Sequence, residues 1–369
     1  MRIGKETYAG RDARGNFSGY TPYSQAVFTG SVTPAPMVGV WRAKGVRHRR
    51  RRAVAEDSKT PTDMQNIQTE GNTPEQNSGT STRRQLLKRL GIGALGLGSM
   101  GALIEKANAA TTFVMFPNDS HLLNFALNIE YLEAEYYLRA TSGTGLQSNG
   151  VNIVGVGPVG NVTIKANPQV PFVTPAIEQY AQEFAQEEIR HVQFLRSLLG
   201  GNAASRPAIN FRGAFTTMAQ MAGIVGTGET FDPFADELSF LIGAYFFEDV
   251  GVTMYRGIIA GLVSKVLTTD ASGLLGTEAY HAGNIRTQLF QTGVGPQNDT
   301  VAISSLRASL DGTNSDDEGV VSGGVANIVP ANGNGLVFTR TTAQVLSIFC
   351  LAPGATRGGF FPNGINPGA

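Results

Sequence analysis

Four stretches of this chain each carry an apolar stripe in alternating steps of three and four residues, and each stripe is broken at its middle by residue types that bind metals. The first runs Leu123, Leu127, Glu130, Ala134, Tyr137, and the second Ile177, Ala181, Phe184, Glu188, His191, Leu195, Leu198. The third runs Leu241, Tyr245, Glu248, Val252, Tyr255, Ile259, Leu262, and the fourth Leu274, Glu278, His281, Ile285, Gln288. Steps of three and four keep residues on one face of an α-helix, so these are core-facing seams. A carboxylate in such a seam is costly unless positive charge meets it. One Glu from each of two helices, with Glu-x-x-His from each of the other two, is the ligand set of dinuclear carboxylate centres in helical bundles. The chain has only four histidines, His48, His121, His191 and His281, and the last two both follow a Glu by three residues.

The spacing predicts an all-α domain with long connections. Helices are expected at 118–140, with N-cap chemistry from Asn118-Asp119-Ser120, and at 175–199, with Pro175 in the first turn and Gly200-Gly201 at the end. Two more are expected at 233–264 and 271–292, with shorter ones at 215–225, 301–310 and 342–351. Residues 141–174 form a Gly-, Val- and Asn-rich insertion with a β-hairpin expected around Val151–Ile164. A long link between the second and third main helices and a short one before the fourth give a crossover bundle followed by a C-terminal extension, 293–369.

The formal net charge of zero conceals an asymmetry. Residues 1–109 hold 17 Lys and Arg against 8 Asp and Glu, whereas residues 110–369 hold 12 against 21. Residues 1–80 are polar and lack any periodic stripe, as a disordered basic leader would. Translation from Met64 rather than Met1 would leave most of that leader unmade. Arg83-Arg84 with Leu86-Leu87-Lys88 resembles the twin-arginine export motif. A Gly-rich apolar run too short to span a bilayer follows, then the small-residue cleavage pattern Ala107-Asn108-Ala109. Residues 81–109 therefore read as a twin-arginine signal peptide, with 110–292 as the bundle. The expected partner is the twin-arginine export machinery and the expected location periplasmic or secreted, in a bacterium, with no stable membrane span in the mature form. The run Arg47 to Arg52 lacks the aromatic or helical framework of a nucleic-acid site, so no nucleic-acid partner is expected. The single Cys350, among apolar neighbours, excludes an intrachain disulfide and a thiolate cluster.

The strings NDSHLLNFALNIEYLEAEYYLRA, EEIRHVQFLRSLLG, EAYHAGNIR, NIVPANGNGLVFTRTTAQVLSIF and GGFFPNG resemble the ferritin-like desiccation-related proteins over residues 112–365. The resemblance implies a ferritin-like four-helix bundle with metal at Glu130, Glu188, His191, Glu248, Glu278 and His281. Four carboxylates and two neutral imidazoles nearly balance two divalent cations, iron first and manganese second, with zinc as an inert occupant. Glu188 and Glu278 are expected to bridge the ions and Glu130 and Glu248 to be terminal. Tyr137 and Tyr255 lie two turns past their glutamates, where they either hydrogen-bond the cluster or, as expected first, fill core. Glu133, Glu135, Glu187 and Asp249 fall off the seam or at its edge and read as solvated or supporting groups. His121 reads as a capping or surface residue, and Asp311–Glu318 as a solvated acidic turn whose spacing fails the calcium-loop pattern.

Three functions fit these residues. The expected one is stress- or desiccation-associated redox chemistry, oxidising ferrous iron or reducing oxygen or peroxide, with metal ions or small oxidants as substrates. The alternatives are manganese-catalase-like dismutation of peroxide and a non-enzymatic structural stress-protection protein. A homo-oligomer is compatible with the sequence.

Overall fold

The computed structural model describes residues 115–313 and 317–368. The leader, the twin-arginine segment, its cleavage pattern and the middle of the acidic turn lie outside the described residues. Four long helices form the centre: α1 (Pro117–Ser142), α2 (Pro175–Leu199), α4 (Glu237–Gly261) and α5 (Lys265–Gln291). The short α3 (Phe211–Met221) lies in the crossover, and α6 (Val294–Asp311) and α7 (Thr342–Phe349) belong to the C-terminal extension. α1 packs chiefly on α2 and α4 on α5, and the two pairs meet through α1 and α4. This is an all-α, ferritin-like bundle.

Local chemistry sets the helix ends. Asp236 caps α4 by accepting from the Ser239 N–H, which starts that helix later than the apolar pattern suggests. Ser264 caps α5 through the Leu267 N–H and starts it six residues earlier than expected, leaving only Leu262–Ser264 between the helices. Asn210 caps α3 in the same way, moving it to Phe211–Met221. The expected cap of α1 is not formed. The helix begins at Pro117 without a side-chain cap, and the buried Asp119 instead accepts from the backbone N–H groups of Val263 and Ser264 at 2.8 and 3.0 Å. A residue of cap type thus ties the start of α1 to the α4–α5 turn.

The expected hairpin at 151–164 is also absent. Val162–Thr163 (β1) pairs in parallel with Ile209–Asn210 (β2), and Val156 bridges Ala204. The insertion therefore finds its backbone partners in the crossover, about fifty residues away in sequence, rather than in itself. Gly155 permits this approach, since a Cβ there would stand 2.0 Å from the Ala203 carbonyl oxygen. Val321–Ser322 (β3) and Val325–Ala326 (β4) form a small hairpin in the extension.

α1 and α4 are buried on every face through Leu123–Leu138 and Phe240–Tyr255, whereas α2 and α5 keep solvent-facing sides. The insertion, crossover and extension cover the outer faces of α1 and α4. Phe360 near the C-terminus stacks among Phe215, Phe246 and Phe247 with ring centroids 4.8, 5.5 and 5.1 Å away. Asn366 exchanges two hydrogen bonds with Asn128 of α1. Arg340 joins Asp311 and Asp317, and Arg307 joins Asp317 and Asp249, so the acidic turn read as solvated has its two terminal aspartates buried in ion pairs. Cys350 is buried, which pushes its thiol up to about 11.

Candidate metal centre

The six seam residues converge at mid-bundle. α1 and α4 each contribute one glutamate, Glu130 and Glu248, and α2 and α5 contribute Glu188 with His191 and Glu278 with His281. All six are buried. His191 Nδ1 stands 3.1 Å from Glu130 Oε2, 3.3 Å from Glu278 Oε1 and 3.5 Å from Glu188 Oε2. His281 Nδ1 stands 3.2 Å from Glu188 Oε1 and 3.5 Å from Glu248 Oε2. Glu188 therefore faces both imidazoles, one through each oxygen. The ligand-type atoms fall into two groups that share it: Glu130, Glu188, His191 and Glu278, and Glu188, Glu248 and His281. Glu278, the expected second bridge, belongs to the first group only. Its Oε2 points instead towards Gly251 of α4, where a Cβ would come within 2.2 Å.

The tyrosines reach across the bundle. The Tyr137 hydroxyl on α1 donates to Glu248 Oε1 on α4, and the Tyr255 hydroxyl on α4 donates to Glu130 Oε1 on α1. The rings fill core as expected, and the hydroxyls also orient the two lone glutamates. The same seven-residue spacing on both helices makes the arrangement reciprocal. Phe184 lies against the His281 ring at 4.3 Å between centroids.

Electrostatics sets this cluster apart from the buried acids Glu135 and Asp249. Glu135, read as off the seam, is buried but paired with Arg139 and Arg206. Asp249 is likewise buried and paired with Arg286 and Arg307. Glu187 pairs with Arg190 at the surface. Glu135 and Asp249 are buried rather than solvated because the insertion and extension cover helix faces that a bare bundle would expose. The central glutamates have no Lys or Arg partner among the described residues. Both oxygens of Glu188 and Glu278, Glu248 Oε2 and His281 Nδ1 have no hydrogen-bond partner. Glu133, also read as peripheral, is fully buried with both oxygens unpartnered. Nothing in the seam pattern marks it, although its position one turn after Glu130 on a helix covered on all sides could have.

The proton affinities follow. Burial pushes Glu130 up to about 7 against the pull of His191. Burial and then repulsion by Glu188 hold Glu278 well above the usual carboxylate range. Burial raises Glu248 too, partly offset by His281. Burial also works against ionising Glu188, but the two imidazoles overcome it and hold this carboxyl well below its ordinary value. Burial opposes charge on His191 and His281, yet the surrounding carboxylates keep both well above the ordinary imidazole value. Four carboxylates and two imidazoles, half of their polar atoms orphaned, are a donor set that fits two divalent cations in charge and type. His121 lies exposed at the far end of α1, away from the cluster.

Residues 118–291 match the ferritin-like domain family. The chain is 31% identical over 249 residues to the desiccation-related protein PCC13-62 of Craterostigma plantagineum, covering 62% of this chain and 76% of that protein. It is 29% identical over 266 residues to the ferritin-like catalase Nec2 of Nesocodon mauritianus, covering 67% of this chain and 83% of that protein. The chain belongs to the ferritin-like superfamily, in the family that includes this desiccation-related protein.

Proposed function

We propose that this chain is an oxidoreductase whose dinuclear metal centre, held by Glu130, Glu188, His191, Glu248, Glu278 and His281, acts on hydrogen peroxide. The observation that carries this reading is the set of buried central carboxylates that have no Lys or Arg partner among the described residues. Left without cations, such a cluster would cost the fold several kcal/mol. Iron or manganese bound there would supply the two-electron exchange that peroxide reduction or dismutation requires. Peroxide is favoured over ferrous iron as substrate by the likeness to a protein named as a ferritin-like catalase.

The chain's own residues prepare the site. Glu188, flanked by both imidazoles, holds the two positions in register. The Tyr137 and Tyr255 hydroxyls fix Glu248 and Glu130 and leave each one oxygen, facing an imidazole of the cluster, for a cation. Phe184 and the aliphatic seams above and below exclude bulk water and limit entry to small oxidants. A sample loaded with iron or manganese is expected to consume peroxide, with the rate falling sharply in Glu188→Ala and Glu278→Ala. Loaded wild-type protein that is inert to peroxide, and gains only thermal stability from metal, would support the non-enzymatic alternative instead.

We also infer export through Arg83-Arg84, with processing near Ala110. Among the described residues no helix is long and apolar enough to cross a membrane.

A further inference from the structure

A glycine inside a helix is disfavoured relative to alanine, so each glycine in the interior of α4 asks for a packing reason. At Gly243 a Cβ would collide with the Tyr136 hydroxyl, and at Gly257 with the Arg340 carbonyl oxygen. Both neighbours are structural: the Tyr136 hydroxyl donates to the Phe240 carbonyl, and the Arg340 backbone N–H donates to the Thr253 carbonyl. Gly251 differs. It lies one turn past Glu248, and a Cβ there would collide with Glu278 Oε2 and stand 3.1 Å from Glu278 Cδ, with Glu133 Oε1 at an ordinary 3.5 Å. The other central glutamates are oriented by partners. Tyr255 and Tyr137 donate to Glu130 and Glu248, and Glu188 faces one imidazole through each oxygen. Glu278 Oε1 faces His191 Nδ1 at 3.3 Å, but its Oε2 has no hydrogen-bond partner. What sets the direction of that oxygen is the space at Gly251.

We propose that Gly251 is a positioning residue of the centre: lacking a Cβ, it lets Glu278 turn Oε2 against α4 and present Oε1 alone to the position beside His191. This rests on the dinuclear reading above. Glu188 then stays the one carboxylate common to both groups of ligand atoms. A methyl group at position 251 would push the Glu278 carboxylate off α4 and into the bundle, towards Glu188 and the imidazoles. The carboxylate would move rather than the helices, because the collision is with the end of a flexible side chain and not with backbone. The way carboxylates are shared between the two ions would change, and with it the magnetic coupling of the pair.

The test loads the full chain with manganese(II), follows the free ion by spin resonance and records the spectrum of the bound pair. Gly251→Ala is expected to change the pair spectrum and to weaken binding of one of the two ions about tenfold or more. Gly243→Ala crowds the same helix against Tyr136 instead of Glu278 and should keep the wild-type spectrum and affinity, which separates a crowded helix from a displaced ligand. In the Glu278→Ala background, Gly251→Ala should alter neither reading further. Without metal it should there raise the melting temperature, since the methyl group then has room and alanine favours the helix. If Gly251→Ala alone does not fold, recovery of the fold on adding Glu278→Ala supports the collision, and failure to recover overturns it. A wild-type spectrum and affinity in Gly251→Ala, the same change in Gly243→Ala, or equal changes with and without Glu278 would overturn the assignment while sparing the dinuclear reading. A wild-type chain that binds no manganese would overturn both.

Discussion

Metal loading should expel protons from the centre. A coordinating imidazole must be neutral and a coordinating carboxylate ionised. In the metal-free centre burial disfavours imidazolium, yet the adjacent carboxylates keep His191 and His281 well above their ordinary value. Burial and then the charge of Glu188 hold Glu278 up as well, and Glu130 is pushed up to about 7. Of the ligand set only Glu188 is held low. Binding two ions near neutral pH should therefore release protons, from the two imidazoles and from the raised glutamates Glu278 and Glu130. Each released proton weakens overall binding about tenfold, or ~1.4 kcal/mol, per unit fall in pH, so the two-ion constant should fall as pH drops from 7 to 6. Calorimetric titration of manganese(II) in buffers of different ionisation enthalpy counts the protons directly. The sign for the metal-free fold is opposite. Its raised glutamates and histidines bind more protons folded than unfolded, so their stabilisation is full at low pH. It is lost as pH rises, from about 4.3 for the glutamates and from about 6.5 for the histidines. Glu188 alone runs the other way, its contribution present above about 4.3 and lost in acid. The melting temperature without metal should consequently fall from pH 5 to 8, while the gain on adding metal grows. Fewer than one proton released, or binding indifferent to pH, would refute the ligand assignment.

Three further outcomes follow from single contacts. Tyr255→Phe and Tyr137→Phe should each cost about 1.5–3 kcal/mol in denaturant unfolding, because each leaves one buried glutamate oxygen without its donor; no change would show that only the rings matter. Arg206→Ala should cost about 3–5 kcal/mol, since it strips Glu135 of one of its two arginines and frees the Gly160 carbonyl, and Arg206→Lys should recover part of that. Replacing Arg83 and Arg84 together by Lys should block export. The exported chain, starting near Ala110, should show no tryptophan emission because Trp41 is the only tryptophan; normal export of the variant would count against the twin-arginine route.

The seams that carry the six central residues could be read from the sequence because their information is local. A 3-4 periodicity fixes a helix face, and a carboxylate inside an apolar stripe marks a place where charge must be met. α2, whose Pro175 start and Gly200 end are also local signals, matches its expected span. Where tertiary context decides, the pattern misleads. Ser264 rather than the apolar register starts α5, and Asp119 serves the α4–α5 turn instead of its own helix. Val151–Ile164 has the composition of a hairpin, but its hydrogen-bond partners arrive from the crossover. Glu135 and Asp249 look solvent-facing on a bare four-helix bundle and are buried because other parts of the chain cover α1 and α4, whereas Glu133 is buried facing α4 at Gly251. The arginines that neutralise Glu135 and Asp249 come from distant segments, so only the folded structure separates acids held by arginine from acids left for a cation.

The central claim is that mid-bundle carboxylates and imidazoles hold two cations, and elemental analysis of the purified full chain tests it most directly. Wild-type protein reconstituted with iron(II) or manganese(II) and then desalted should retain about two ions per chain. The His191→Ala, His281→Ala double variant should lose them, and His121→Ala should match wild type. Equal metal content in the wild type and the double variant, or none in the reconstituted wild type, would contradict the account.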